Sequence, residues 1–159
     1  AGFTAGPCLL KDTMQLSSFY DHKFSLGYTA MSVNEGLPNF LINELSKEYN
    51  LKKKIVGVLG LTFKGESDDT RDSLSTKLLR QLKSRKIKTL QSDEYFKNKN
   101  NVDKNLLIKK SDIIIVATPH KAYKNLKIQR NKVVVEIFYI IQRSIILSYN
   151  RRSIVLTGC

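Results

Sequence analysis

The chain has 159 residues, 42% of them hydrophobic, with 8 Gly, 3 Pro and 2 Cys, a composition that excludes disordered, fibrous and disulfide-scaffolded classes. Its 27 Lys and Arg against 14 Asp and Glu give a formal charge of +13, spread unevenly: residues 1–50 carry −2 and residues 51–159 carry +15. At about 150 residues per domain, this length holds one domain or one domain with an appendage. The longest apolar run, around Ile113–Thr118, falls far short of the ~18 residues a bilayer span needs. The N-terminus lacks the basic flank and apolar stretch of a signal peptide, so a cytoplasmic, reducing setting is expected. Cys8 and Cys159 stand at opposite ends of the chain and offer neither a disulfide framework nor metal-ligand spacing.

In chain order, residues 1–12, with Gly2, Gly6 and Pro7, read as a loop that delivers Cys8 to the start of a helix near Asp12. From Thr13 to about Tyr49 apolar residues recur at three- and four-residue spacing, the mark of helical stripes. A break is expected at Asp21–Ser25, with Asp21 as a candidate N-cap for a long second helix. Gly36 and Pro38 predict a kink near residue 36. A long helix apolar on more than one face needs partners on both sides, so residues 25–49 are a candidate dimer helix.

A basic linker at 50–54 separates this part from a different texture. Ile55–Thr62 is a short apolar run expected to form a buried parallel strand. Ser73–Lys86 has helical spacing with cations at its C-terminal end, where the helix dipole favours them. Ile87–Gln91 reads as a weaker strand, 93–105 as a polar connection, and Leu106–Lys110 as a turn or short helix. Asp112–Thr118 and Lys132–Phe138 are strong strands, and 145–149 and 153–157 are possible edge strands. The expected architecture is α/β: a long helical segment over residues 1–50, then a Rossmann-like parallel-sheet domain over 51–159.

Two constellations can carry chemistry. Cys8, beside Lys11 and a helix start, has both influences that favour a nucleophilic thiolate, although a lone Cys also serves as a small buried hydrophobe. Asp12 lies one helical turn from it and could orient a water. The second constellation is the loop from Phe63 to Ser73, after the first strand, where open parallel sheets bind ligands. Within it Lys64 and Arg71 suit phosphate or carboxylate, and Ser73 or Asp72 suits a helix cap. Gly57 and Gly60 are too closely spaced for a dinucleotide fingerprint. His120 ends the third strand and reads either as a structural residue or as a contact on the same rim.

Read together, GPCLLKDTMQL around Cys8, Val33-Asn34 in the long helix, VLGLTFKGESDDTRDSLS, SDIIIVATPHKAY and KVVVEIFYI resemble the UDP-glucose/GDP-mannose dehydrogenases, with patterns CxxKD and GLxFKxxxDDxRxS in order. Such enzymes oxidise a nucleotide-sugar C6 hydroxyl to a carboxylate with NAD, using an N-terminal NAD-binding domain, a central dimerising helix and a C-terminal nucleotide-sugar domain. The resemblance implies that this chain corresponds to the last two parts, so NAD would be held mainly by a domain upstream. Carried over, Cys8 matches the nucleophile, Asp12 the acid that assists thioester hydrolysis, Phe63 and Lys64 substrate-binding positions, and Lys11 and Arg71 cofactor contacts. The resemblance further implies a UDP-sugar ligand and a homodimer. Thr4-Ala5-Gly6-Pro7 departs from the glycine-rich segment many relatives place before the nucleophile, and Glu136 stands where Asp is usual. The CxxKD form is nearer the UDP-glucose enzymes than the GDP-mannose and UDP-N-acetylmannosamine enzymes with their CIPVDP form. Without a complete NAD site, the isolated chain is expected to show no turnover.

Two other classes remain. One is a non-catalytic nucleotide-sugar-binding or dimerisation module. The other is a basic nucleic-acid-binding module, against which stand scattered cations and the lack of an RNA-binding aromatic motif, recognition helix or zinc spacing. The +15 segment is expected to hold a sugar diphosphate, although only a few of its cations can touch one ligand.

Overall fold

The computed structural model of the chain describes residues 2–21 and 23–138. Helices α1 (Leu9–Phe19) and α2 (Ser25–Glu48) come first, followed by β1 (Ile55–Leu59), α3 (Leu74–Ser84), β2 (Lys88–Ser92), α4 (Lys104–Lys110), β3 (Ile113–Val116) and β4 (Val133–Glu136). The four strands form one parallel sheet in the order β2-β1-β3-β4. The α/β architecture expected from the sequence is therefore present. The possible strands at 145–149 and 153–157 lie outside the described residues.

Alternation along the strands divides the core in two. On one face Val56, Val58, Ile113, Ile115 and Val135 pack against α3 and against Leu41, Ile42 and Leu45 of α2, all fully or nearly fully buried. On the other face Leu59, Ile114 and Val116 meet Leu107 and Ile108 of α4 and the ring of Tyr123. A side chain at Gly57 would run into Leu107 and Ser111, so its absence lets α4 lie close. At about 1.5–3 kcal/mol per fully buried aliphatic side chain, the three α2 residues alone bind that helix firmly to the sheet.

Local chemistry sets the helix ends. Ser73 caps α3 by accepting from the Ser75 N–H, 3.2 Å away, as expected. Asp103, inside the stretch read as a polar connection, caps α4 by accepting from the N–H groups of Asn105 and Leu106, so α4 starts two residues before the apolar pattern begins. Helix α1 also starts early, at Leu9 with Cys8 as its N-cap residue. Asp21 is not the cap of α2: that position belongs to Phe24, with no side-chain cap bond. Asp21 instead takes a left-handed φ of 48° in the turn that ends α1, a conformation a short polar side chain tolerates. Pro38 lies inside α2; it withholds one N–H from the Asn34 carbonyl, yet the helix continues to Glu48.

The order β2-β1-β3 means that the chain winds one way from β1 to β2 and the other way to β3, which opens a crevice at the carboxyl ends of β1 and β3. The loops leaving those two strands touch at its base. Gly60, with φ +87°, sits where an added Cβ would be 2.5 Å from Thr118, and Thr118 Oγ1 donates to the Thr62 carbonyl at 2.8 Å. Ser75 Oγ donates to the Ala117 carbonyl, tying the start of α3 to the same point. Replacement of Gly60 by Ala combines a strained φ with a steric overlap, so urea unfolding of Gly60→Ala is expected to show a loss of about 2 kcal/mol or more. A loss below about 0.5 kcal/mol, the level of an ordinary surface substitution, would show that this contact does not shape the fold.

Candidate functional site

Long-range contacts bring the two sequence constellations to one place. The segment before Cys8 is pinned by Phe3, which is buried in the main core, and by Asn34 of α2, whose Nδ2 donates to the Thr4 carbonyl at 2.6 Å. Gly6 then crosses the ring of Phe63 so closely that a Cβ there would lie 3.2 Å from two ring carbons; its φ of +133° also disfavours a side chain. Cys8 is exposed at the N-cap of α1. Arg71 is held above its ordinary pKa chiefly by hydrogen bonds to Asp69, and its neighbour Asp72 lines one small hollow with Gly6 and Leu9, on either side of Cys8. Phe63, Arg71 and the loop that carries Cys8 therefore share one rim of the sheet.

Asp69 organises that rim. Its carboxylate takes a fork of bonds from the Arg71 guanidinium at 2.7–3.1 Å and a further one from the Arg71 backbone N–H. These bonds, with smaller contributions from the charges of Arg71 and Lys64, hold the Asp69 carboxyl below its usual range. The pairing fixes the orientation of a planar guanidinium on this loop. Lys64 is exposed, with its Nζ 5.5 Å from the centre of the Phe63 ring, which is within cation–π range. Lys11 and Asp12 are 3.4 Å apart and both well exposed. The Asp12 N–H donates to the Cys8 carbonyl at 2.7 Å, which confirms the one-turn spacing.

His120 is not on the surface of the rim; it is fully buried beneath it. Its Nδ1 accepts from the Glu66 N–H at 3.0 Å, which assigns the remaining proton to Nε2, 3.3 Å from Asp93 Oδ2. Asp93 Oδ2 also accepts from the Leu61 N–H, and Oδ1 accepts from the N–H groups of Tyr95 and Phe96. Burial pushes the Asp93 carboxyl up, but the His120 bond and the three backbone donors outweigh it and hold it below its usual range. Glu66, in a left-handed conformation (φ 55°), accepts from the Lys121 N–H at 2.7 Å and the Tyr95 hydroxyl at 2.8 Å, bonds that hold its carboxyl low and the Tyr95 phenol high. Burial above all drives the Tyr123 phenol far above its usual range, with its ring edge-on to His120. This polar hub positions Gly65 and Glu66 and thereby the neighbouring Lys64.

Sequence reading assigned no role to Asp93, or to Glu66 and Asp69 within the loop 63–73. An acid directly after a strand was the only available sign for Asp93, and no local pattern announced its partners 27 and 32 residues away. The loop from Gly60 to Ser73 carries Lys64 and Arg71 against Glu66, Asp68, Asp69 and Asp72, so the basic excess is not gathered at this rim. Among the described residues no group of His, Cys, Asp and Glu could hold a metal ion, and no helix is long and apolar enough to cross a membrane.

A parallel sheet with a switch point between β1 and β3, and with cationic and capping side chains on the loop leaving β1, defines a Rossmann-like α/β domain of ligand-binding type. Residues 57–143 match the UDP-glucose/GDP-mannose dehydrogenase family, UDP binding domain, and the chain belongs to that family. It is 30% identical over 143 residues to UDP-N-acetyl-D-mannosamine dehydrogenase of Pyrococcus horikoshii, covering 82% of this chain and 34% of that protein. To the enzyme of the same name from Methanocaldococcus jannaschii it is 31% identical over 103 residues, covering 61% of this chain and 23% of that protein. The solved structure of UDP-D-ManNAc dehydrogenase from P. horikoshii superposes with a TM-score of 0.77 at 29% identity, covering 89% of this chain and 36% of that one. That of a UDP-glucose dehydrogenase from Pyrobaculum islandicum gives 0.73 at 25%, covering 86% and 34%. The chain thus spans about a third of the length of the P. horikoshii relative, and it corresponds to the C-terminal part of the family's proteins.

The Asp93 network yields a pH prediction. Its pKa is lower folded than unfolded (about 3.9), so the unfolded chain binds the proton more readily. The stability it contributes is complete above about pH 4 and fades as pH falls through the folded value. Asp93→Asn is expected to be less stable than the parent at pH 6 by about 1–3 kcal/mol, with the gap narrowing toward pH 3 in denaturant titrations. A gap independent of pH would show that the charge of Asp93 is not what matters.

Proposed function

We propose that this chain is the C-terminal part of an NAD-dependent nucleotide-sugar 6-dehydrogenase, with residues 1–50 supplying the cysteine loop and central helices and residues 51–159 the nucleotide-sugar-binding domain. The observation that carries the reading is the packing of Gly6 on Phe63, with Asp72 beside Gly6 and Leu9. It joins two motifs more than 50 residues apart on one rim.

In this reading Phe63 and Lys64 hold the UDP-sugar, with Lys64 set against the diphosphate. The Cys8 sulfur adds to the C6 aldehyde, forming a C–S bond while the carbonyl oxygen takes up a proton. The two oxidation steps each release one hydride, which would need two NAD molecules bound in turn, one per step. Asp12, one turn from Cys8, then assists a water in attacking the thioester carbon; the C–S bond breaks and the thiolate is released with the carboxylate product. As cations, Lys11 and Arg71 fit the edge of a dinucleotide diphosphate. The described residues offer no glycine-rich turn for the rest of it: the connection from β1 to α3 is the long loop 60–73, quite unlike a tight phosphate-cradling turn.

Exposed apolar residues support a homodimer through α2. Leu26 and Val33 are 77% and 64% exposed, and Tyr28 and Phe40 about half, leaving apolar surface on the side away from the sheet. As to the sugar, the Cys8-Lys11-Asp12 pattern favours UDP-glucose, whereas the two archaeal relatives described above are named for UDP-N-acetyl-D-mannosamine.

Calorimetric titration with UDP-glucose, UDP-N-acetylmannosamine and GDP-mannose tests the reading and ranks the sugars. Binding of a UDP-sugar is expected, and Lys64→Ala should weaken it about tenfold, or about 1.4 kcal/mol. An unchanged affinity would remove Lys64 from the site. No NAD reduction is expected from the 159-residue chain with any of the three sugars; measurable reduction would overturn the division of labour proposed here.

A further inference from the structure

All four strands are parallel, so the segments that lead into them lie along one edge of the sheet, opposite the rim described above. Cations crowd these segments. Lys52, Lys53 and Lys54 precede β1. Arg85, Lys86 and Lys88 lead into and open β2. Lys109 and Lys110 precede β3, and Arg130 and Lys132 precede β4. The one acid in these lead-in segments is Asp112, 4.0 Å from Lys54. At the opposite end, the loops after β1 and β2 hold more acids than cations. Topology has thus sorted a charge that looked scattered in the sequence.

Helix ends account for part of this. Helices α2, α3 and α4 finish at this edge, and cations are favoured there within the last turn. Lys132 is spent in this way: its Nζ donates to the carbonyls of Lys109 and Ser111 at 2.8 and 2.6 Å. Arg85 is likewise held, by the side chains of Asn39 and Asn43 on α2. Lys52, Lys53, Lys86, Lys88, Lys109, Lys110 and Arg130 are exposed. With adjacent strands about 4.8 Å apart, the edge is only ~15 Å long, and a Debye length of about 8 Å does not insulate neighbouring charges along it. Their mutual repulsion is relieved by a ligand that carries negative charge at similar spacing.

The shape of the edge narrows the ligand. Between the ends of α2 and α3 runs an open groove of about 660 Å³. Its lining includes Lys47, Lys52 and Arg85, with Glu48 as its acid and Tyr49 and Ile87 as apolar members. No exposed large apolar side chain lies in the lead-in segments, so the edge has nothing to insert into a lipid bilayer. A linear chain of phosphates fits a row of lysines next to a polar groove, with affinity set by counterion release and not by base identity.

We propose that the amino-terminal edge of the sheet is a binding surface for a linear phosphate chain, a nucleic-acid backbone or inorganic polyphosphate. It is separate from the nucleotide-sugar rim and does not depend on that assignment. The test uses the full chain with two labelled probes, a single-stranded oligonucleotide of about 16 nucleotides and inorganic polyphosphate, followed by fluorescence anisotropy over a salt series. Four or more phosphates neutralised predict a slope of log K against log salt of about −3 for the single strand. Lys53→Glu/Lys88→Glu is expected to weaken binding about tenfold at ~0.1 M salt, and Lys97→Glu/Lys99→Glu, an equal charge change on the loop after β2, less than about twofold. Thermal melts of both variants establish that they are folded, and Lys53→Gln/Lys88→Gln substitutes if the reversal is not. Binding to both probes supports the phosphate chain in general, and binding to one identifies the source. Absence of binding to both probes, or equal losses in the two variants, would overturn the proposal.

Discussion

The seating of α2 against the sheet is the contact on which the rest depends. Leu41, Ile42 and Leu45 enter the same core as Val56, Ile113 and Ile115, so the helix and the α/β layers are one packed body at this point. Polar contacts then set its direction. Glu35 pairs with Lys77 of α3 at 2.5 Å, both side chains largely shielded, and Arg85 reaches Asn39 and Asn43. Directly before Glu35, Asn34 holds the Thr4 carbonyl. A helix fixed by its C-terminal half therefore carries, on its middle, the anchor of the loop that presents Cys8.

Beneath the rim, the Asp93–His120 pair does a second kind of work. A carboxylate at the end of β2, an imidazole after β3 and backbone donors from the loop after β1 meet where three strands end. Every acceptor of Asp93 has a donor, so the charge can be buried without an orphan. The reward is positional: Leu61 and Glu66, on either side of Phe63 and Lys64, are both tied to this hub. Binding loops are usually the mobile parts of a fold, and here a buried network limits that freedom.

Much of this was legible beforehand because it is periodic or local. The strands at 55–59, 113–116 and 133–136 follow from β-branched apolar runs, and Ser73 as a cap follows from its position before an apolar stripe. Cys8, Lys64 and Arg71 stood out by residue type next to element ends. What could not be read is long-range. Nothing near Gly6 in sequence announces Phe63, nothing near Asp93 announces His120, and Asp103 looked like linker because a cap is a single residue. Charge follows the same rule: counting along the chain spreads Lys53, Lys88, Lys109 and Arg130 apart, whereas parallel strands return to the same edge each time.

The closeness of Gly6 to Phe63 has a mechanical meaning. The ring is the shared wall of two loops, one bearing Cys8 and the other Lys64. A side chain at position 6 would press on that ring and, through it, on the loop after β1, while the left-handed φ there would strain its own backbone. The glycine, by lacking a side chain, lets the two loops meet at one point.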